Sequence, residues 1–272
     1  MNRIDEAFNS KPIFMPYFPL GFPDLETSIN IIEALAQNGA DLIEVGLSFS
    51  DPLADGPVIQ KATQIALENG ITTAKSLSAV AELRRRGVEI PLILMGYYNP
   101  ILAFGLENFI CEAGSAGADG FIVPDLPIEE SEEFARAGRI CREQQDHADE
   151  SLPLIRMLAP TTPSERMEKI AGGAQGFIYL VSVTGVTGAR KSVADGLASL
   201  IERVREHTSI PVCVGFGIGT PEQAQEVAAN ADGVIVGSAC VRNIGESEKP
   251  VEAAQEFAKC FHAALQEAKH SQ

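Results

Sequence analysis

The segment Asp41-Leu-Ile-Glu-Val-Gly-Leu47 decides the fold prediction, because it is a short apolar run followed by a long loop, Ser48–Pro57, and then a helical pattern. A strand buried on both faces has this composition. Side chains alternate along a strand, so Glu44 shares one face with Leu42 and Gly46. The opposite face is wholly apolar and should pack on helices. Glu44 is therefore predicted to point to the inner side of the sheet, where an acid needs a partner or a task.

Similar runs recur along the chain and predict eight strands. These are Ile13–Phe18, Leu42–Val45, Leu92–Met95, Gly120–Val123, Leu154–Leu158, Gly176–Val181, Val212–Gly215 and Gly233–Val236. Helical patterns follow many of them, at Leu25–Asn38, Ile128–Glu143, Ser164–Ala171, Ala194–His207, Pro221–Ala229 and Val251–Lys269. Alternating strands and helices favour a parallel sheet. We predict a single-domain (β/α)8 TIM barrel over residues 1–272, with a doubly wound open sheet as the rival fold.

The composition excludes several classes of protein. The chain has 272 residues, 45% of them hydrophobic, and a formal net charge of −16. Nucleic-acid binding requires a basic surface, so nucleic acid is not an expected partner. No apolar run approaches the ~20 residues needed to span a bilayer, and the polar N-terminus does not resemble a secretory signal. We expect a cytoplasmic protein that does not bind membranes.

The cysteines and histidines give no sign of a metal site. The five cysteines are scattered and odd in number, which favours a reducing compartment and argues against zinc. None of the four histidines ends an apolar strand. We therefore expect neither a metal nor histidine-based catalysis. The polar stretch Arg142–Ser151 is interpreted as a loop between a helix and a strand.

Two carboxylates mark the predicted active site. In barrels of this kind the active site lies at the carboxyl ends of the strands. Glu44 lies on the second strand and Asp55 on the loop that follows it. Burial raises the pKa of a carboxyl group towards neutrality, which suits general acid–base work. The alternatives are a buried ion pair for Glu44 and a helix cap for Asp55.

The last two strands indicate an anion site. Gly215-Phe-Gly-Ile-Gly219 follows the seventh strand and Gly237-Ser-Ala239 follows the eighth. Glycines let backbone amides approach a ligand, helix N-termini favour anions, and barrels often bind phosphate at these two loops. Tight turns are the plainer explanation of such glycines. The spacing does not match a dinucleotide-binding Gly-x-Gly-x-x-Gly motif.

Other strand ends suggest a lid and an aromatic pocket. Val183-Thr-Gly-Val-Thr-Gly-Ala-Arg-Lys191 is interpreted as a mobile lid, or else as a plain exposed loop. Asp125 is expected at the rim of the barrel. A flat ring could be lined by four aromatic residues, Tyr97, Tyr98, Tyr179 and Phe216.

These motifs together resemble the tryptophan synthase α subunit. The resemblance rests on Ile43–Gln60, Val123–Pro127, Thr184–Gly188, Gly215–Ile218 and Gly237–Ala239, which occur in the order of the family and span about residues 10–245. The chain departs from the family pattern at three positions. Ser48 replaces the usual proline, Pro19 lies near a usual threonine, and Phe22 replaces a usual tyrosine or acidic residue.

The resemblance implies a lyase that cleaves indole-3-glycerol phosphate to indole and D-glyceraldehyde 3-phosphate by a retro-aldol reaction. It assigns proton transfer to Glu44 and stabilisation of the ring nitrogen to Asp55. It also implies that the amides of Gly188, Gly217, Gly237 and Ser238 hold the phosphate. Tyr179 and Thr187 would support Glu44 and close the lid. Phe216, one of the aromatic residues named above, is a further candidate for substrate binding.

The family further implies a partner. The α subunit pairs with a β subunit in an α2β2 heterotetramer of tryptophan biosynthesis, and pyridoxal phosphate (PLP) belongs to the β subunit, so no cofactor is expected in this chain. The loops around Asp51–Gln60 and Thr187 are the candidates for the docking face. The alternatives are another sugar-phosphate barrel enzyme, and a non-catalytic subunit that binds a phosphate ligand and activates a PLP-dependent partner.

Overall fold

The computed structural model describes residues 2–145, 152–181, 190–215 and 217–269. Eight parallel strands form one sheet in the order β4-β3-β2-β1-β8-β7-β6-β5. The strands are β1 Ile13–Pro19, β2 Ile43–Gly46, β3 Leu92–Met95, β4 Gly120–Ile122, β5 Arg156–Leu158, β6 Ile178–Val181, β7 Val212–Gly215 and β8 Gly233–Val236. An isolated parallel bridge joins Phe121 of β4 to Leu154, two residues before β5, and closes the barrel between the two end strands. The predicted TIM barrel is confirmed, and the open sheet is excluded.

The helices surround the strands. They are α1 Arg3–Ala7, α2 Leu25–Gln37, α3 Pro57–Glu68, α4 Thr73–Arg85, α5 Tyr98–Phe104, α6 Leu106–Ala116, α7 Glu132–Gln145, α8 Ser164–Gly172, α9 Arg190–Arg205, α10 Pro221–Ala228, α11 Ser238–Gly245 and α12 Pro250–Lys269. Single 3-10 turns lie at Phe8–Ser10 and Ile128–Glu130. No helix among the described residues is long and apolar enough to cross a membrane.

The apolar side chains form two layers because the strands alternate. Inward-facing residues such as Ile13, Met15 and Leu42 fill the barrel. Outward-facing residues such as Phe14 and Val45 pack under the helices. The second strand has the register that its sequence predicts, with Glu44 on the inner face beside Tyr17 of β1.

The structure corrects the interpretation of Arg142–Ser151 and of two cysteines. Helix α7 continues to Gln145, so the first part of the predicted loop is helical, and the remainder lies outside the described residues. Cys111 on α6 and Cys141 on α7 form a disulfide, with Cα atoms 5.3 Å apart. Their 30-residue separation hides this pairing from the sequence, because only the packing of the two helices brings them together.

Candidate active site

Glu44 lies at the centre of the inner face near the carboxyl end of β2. Glu44 is only 1% exposed, and its Oε1 atom has no hydrogen-bond partner among the described residues. Burial and, to a smaller extent, the charge of Asp55 together raise the pKa of Glu44 to about 8. The carboxyl group is therefore protonated at neutral pH and can donate a proton. A buried acceptor atom without a partner is rare, and it marks the place where a ligand group would bind.

Asp55 is held by the loop that follows β2. Its Oδ2 atom accepts a 3.0 Å hydrogen bond from the Tyr97 hydroxyl, and that hydroxyl accepts one of 2.9 Å from the amide of Ala54. Burial raises the pKa of Asp55, while the hydrogen bond from Tyr97 lowers it. The ring of Phe49 lies against Tyr97, with centroids 5.5 Å apart. Asp55 is thus partly buried and is held in place by the side chain of Tyr97, which follows β3.

Two tyrosines cross the barrel mouth because glycines leave room for them. A β-carbon at Gly46 would lie 2.6 Å from Cζ of Tyr17, and one at Gly215 would lie 2.6 Å from the hydroxyl oxygen of Tyr179. Both distances are shorter than any normal contact. Burial raises the pKa of each tyrosine, and nearby Asp55 and Glu44 raise it further, so both hydroxyls stay protonated.

A cavity of about 240 Å³ opens above these groups. Glu44, Asp55 and Tyr179 line it. Apolar walls complete it, from Ile59, Met95, Met157, Ile218 and Ile235. An apolar cavity with a few converging polar groups is the usual form of a small-molecule site.

The opposite end of the cavity is built for an anion. Gly217, Gly237 and Ser238 line it, and Ser238 is the first residue of α11. Gly217 has a φ of 79°, a backbone conformation that favours glycine. Arg242 also lines this end, four residues after Ser238 on the same helix. Side chains of a helix lean towards its N-terminus, so Arg242 extends back towards Ser238.

Several residues of this site have no clear signal in the sequence. Tyr97 was predicted only as a ring contact, and its hydrogen bond to Asp55 became evident from the structure. Arg242 forms no ion pair with the described residues and has only its i+4 spacing from Ser238 as a signal. The inward-facing Tyr17 and Met157 could have been found from strand alternation.

Other predicted residues lie elsewhere. Tyr98 does not line this cavity; it begins α5, where its amide donates to Asp125 Oδ1 at 2.9 Å. Asp125 lies on the loop after β4, as expected for the rim, but lines a neighbouring cavity. Thr187, Gly188 and Phe216 lie outside the described residues, as does most of the predicted lid. The described residues contain no group of three side chains that could hold a metal ion.

Comparisons with known proteins agree with this geometry. The family model described as tryptophan synthase alpha chain matches residues 5–270. The chain belongs to the tryptophan synthase alpha chain family. The family and enzyme class predicted from the sequence are thereby confirmed.

Individual relatives cover nearly the whole chain. The tryptophan synthase alpha chain of Chloroflexus aggregans is 50% identical over 246 residues, which are 89% of each chain. The structure of the alpha subunit from Legionella pneumophila has a TM-score of 0.86 and 37% identity, and the match covers 98% of this chain and 99% of that one. A chain of tryptophan synthase from M. tuberculosis, solved in an aminoacrylate-bound form, has a TM-score of 0.84 and 31% identity, covering 97% of this chain and all of that one.

Proposed function

We propose that this chain cleaves indole-3-glycerol phosphate to indole and D-glyceraldehyde 3-phosphate, with Glu44 and Asp55 as its catalytic groups. One observation carries the assignment: a buried carboxyl group with a pKa near 8 and an unpartnered oxygen faces the same cavity as a second carboxylate. Proton transfer is most efficient when the pKa of the catalytic group lies near the working pH.

The reaction needs a proton at C3 of the indole ring before the carbon–carbon bond can break. Protonated Glu44 donates that proton, and the positive charge appears on the ring nitrogen. The carboxylate of Asp55 stabilises the charge through the ring N–H. Glu44, now charged, accepts the proton of the 3′-hydroxyl as the bond electrons return to the ring. Indole and the aldehyde leave, and Glu44 is protonated again.

The phosphate would lie at the end of the cavity formed by Gly217, Gly237 and Ser238. The N-terminus of α11 offers free amides to an anion there. Arg242 adds a positive charge in a protein whose net charge is −16. We assign Arg242 to phosphate binding beside the amides. Thr187, Gly188 and Phe216 lie outside the described residues, and we assign them the substrate contacts predicted from the sequence.

The loop after β2 is our candidate for the docking face of a second subunit. Leu53 is 91% exposed at the tip of this loop, next to the segment that carries Asp55. Single exposed leucines are common on protein surfaces, so the proposal rests on the family resemblance, in which this loop is a candidate docking face. We assign this surface to the β subunit of an α2β2 complex, which would hold PLP and consume the indole. Binding at Leu53 would act directly on the position of Asp55.

We also propose a cytoplasmic location. The structure joins Cys111 and Cys141 in a disulfide, but disulfides are rare in the cytosol, so in a cytoplasmic protein we expect these two neighbouring cysteines to be reduced. Alkylation of denatured protein from freshly lysed cells should modify all five cysteines. Protection of Cys111 and Cys141 would contradict this location.

The activity is tested by incubating the purified chain with indole-3-glycerol phosphate, with and without a tryptophan synthase β subunit, while indole is measured. Indole should form slowly with the chain alone and faster with the partner. Absence of indole in both conditions, with the ligand still bound, would support the non-catalytic binding subunit instead. Turnover of a different sugar phosphate would support another barrel enzyme.

A further inference from the structure

Arg156 is an anomaly on the outer surface of the barrel. Strand alternation places Met157 inside the barrel and Leu158 under the helices, so Arg156 faces the helices with Leu158. The other outward-facing residues of the eight strands are apolar, as Val45 and Leu180 illustrate. A charged side chain at such a position needs a partner, because burying it alone costs free energy.

The guanidinium of Arg156 is incompletely partnered. Its Nη2 atom donates to the hydroxyl of Ser131 at 2.9 Å, but its buried Nε atom has no hydrogen-bond partner among the described residues. No carboxylate of the described residues forms an ion pair with it, and burial lowers the pKa of Arg156. Arg84, which is buried to a similar degree, forms an ion pair with Asp119. Among the described residues, Arg156 therefore has no anionic partner like the one that Arg84 has.

A cavity of about 420 Å³ lies against this side chain. The loop after β4, strand β5 and helix α8 enclose it, with mostly apolar walls such as Leu126, Leu158 and Ile170. A second arginine, Arg166, also lines the cavity, but both of its terminal nitrogens donate to Glu129, at 2.7 and 2.9 Å. Arg156 is thus the cation in this cavity that remains available.

We propose that this cavity is a second ligand site, which binds a small organic carboxylate with an apolar body through Arg156. The planar guanidinium presents neighbouring N–H groups that match the two oxygens of a carboxylate. One available cation suits a monoanion better than a phosphate dianion, because Asp125 also lines the cavity and disfavours a ligand of higher negative charge. The site is separate from the Glu44 cavity, although Ala54, Pro124 and Met157 line both. The inference stands independently of the proposed reaction.

The test uses 2-naphthoate and its neutral analogue 2-naphthamide, titrated into the full chain by isothermal calorimetry. Naphthoate should bind one site per chain at least about tenfold more tightly than the amide, since a charge-assisted bond is lost with the amide. Saturating glycerol 3-phosphate, which should occupy the Glu44 cavity, should leave this affinity unchanged. Equal affinity for acid and amide, or displacement by glycerol 3-phosphate, would overturn the proposal.

Matched variants locate the charge. Arg156→Gln should reduce naphthoate affinity to that of the amide, while Arg156→Lys should retain part of the difference. Arg166→Gln is the control and should change the affinity by less than about threefold. The proposal would be overturned if Arg156→Gln bound naphthoate as tightly as the wild type. It would also be overturned if the wild type did not bind naphthoate and Arg156→Gln impaired only association with the β subunit. Should Arg156→Gln fail to fold, Arg156→Lys and the comparison of acid with amide decide the outcome.

Discussion

Glu44 and Asp55 are both acids of one cavity, but they lie in contrasting parts of the molecule. Glu44 is on a central strand, fully buried, with an unpartnered oxygen and a pKa of about 8. Asp55 is on a loop, partly exposed, with a hydrogen bond from Tyr97 that opposes the effect of burial on its pKa. The contrast suits one group to moving protons and the other to holding charge.

The largest expected effect is that of Glu44→Gln. This change removes the only proposed proton carrier while preserving shape, so indole formation should fall by about 10³-fold, within the range for general acid–base groups. Substrate affinity should stay within about tenfold. The measurement is indole release in parallel with binding of indole-3-glycerol phosphate. Full activity in this variant would remove Glu44 from the mechanism.

Asp55→Asn should have a smaller but still large effect, about 10²-fold on kcat. The amide keeps a hydrogen-bond acceptor for the ring N–H but loses the negative charge that stabilises it. Steady-state kinetics with the β subunit present would measure the loss. A defect equal to that of Glu44→Gln would mean that the two acids share proton transfer, and the contrast would be wrong.

Stability should depend on pH through Glu44. Its pKa is about 8 in the folded protein and ordinarily about 4.5, so between these values only the folded state keeps the proton. The stabilisation is complete below pH 4.5 and is lost as the pH rises to 8. The unfolding free energy of the wild type, relative to Glu44→Gln, should fall by about 1.4 kcal/mol per pH unit between pH 5 and 7. Urea titrations measure it; a flat difference would place the pKa near its ordinary value.

Arg242→Gln tests whether catalysis depends on Glu44 and Asp55 while Arg242 contributes only to binding. Removal of a charge at the phosphate end should raise KM about tenfold and leave kcat nearly unchanged, because the phosphate does not react. Asn243→Ala, an exposed change on the same helix, is the control. A fall in kcat with an unchanged KM would exclude a role limited to binding.

Tyr97→Phe should have the smallest effect. The ring still packs on Phe49, but the hydrogen bond to Asp55 is lost. A several-fold decrease in kcat is expected, consistent with about 1 kcal/mol for such a bond. The acidic limb of the pH–rate profile should shift to higher pH, because the bond lowers the pKa of Asp55. An unchanged profile would show that Tyr97 does not position Asp55.

Much of the barrel was predictable from short segments of sequence. All eight strands lie where the apolar runs predicted them, because each strand must bury both faces and so carries its own pattern. The direction of Glu44 followed from alternation alone. The end of α7 was not predictable in this way, since the polar stretch after Arg142 continues the helix without an apolar pattern.

The sequence by itself determined the strands, the acid on the second strand, the acid on its loop and the glycines of the anion site, because each depends on neighbouring residues. Only the tertiary structure decided which distant groups meet. The hydroxyl of Tyr97 reaches Asp55, Arg242 borders the cavity of Glu44, and Cys111 meets Cys141. Arg156 faces a second cavity and forms no ion pair with the described residues. These contacts join segments far apart in the chain, and no local pattern encodes the closure of the barrel that creates them.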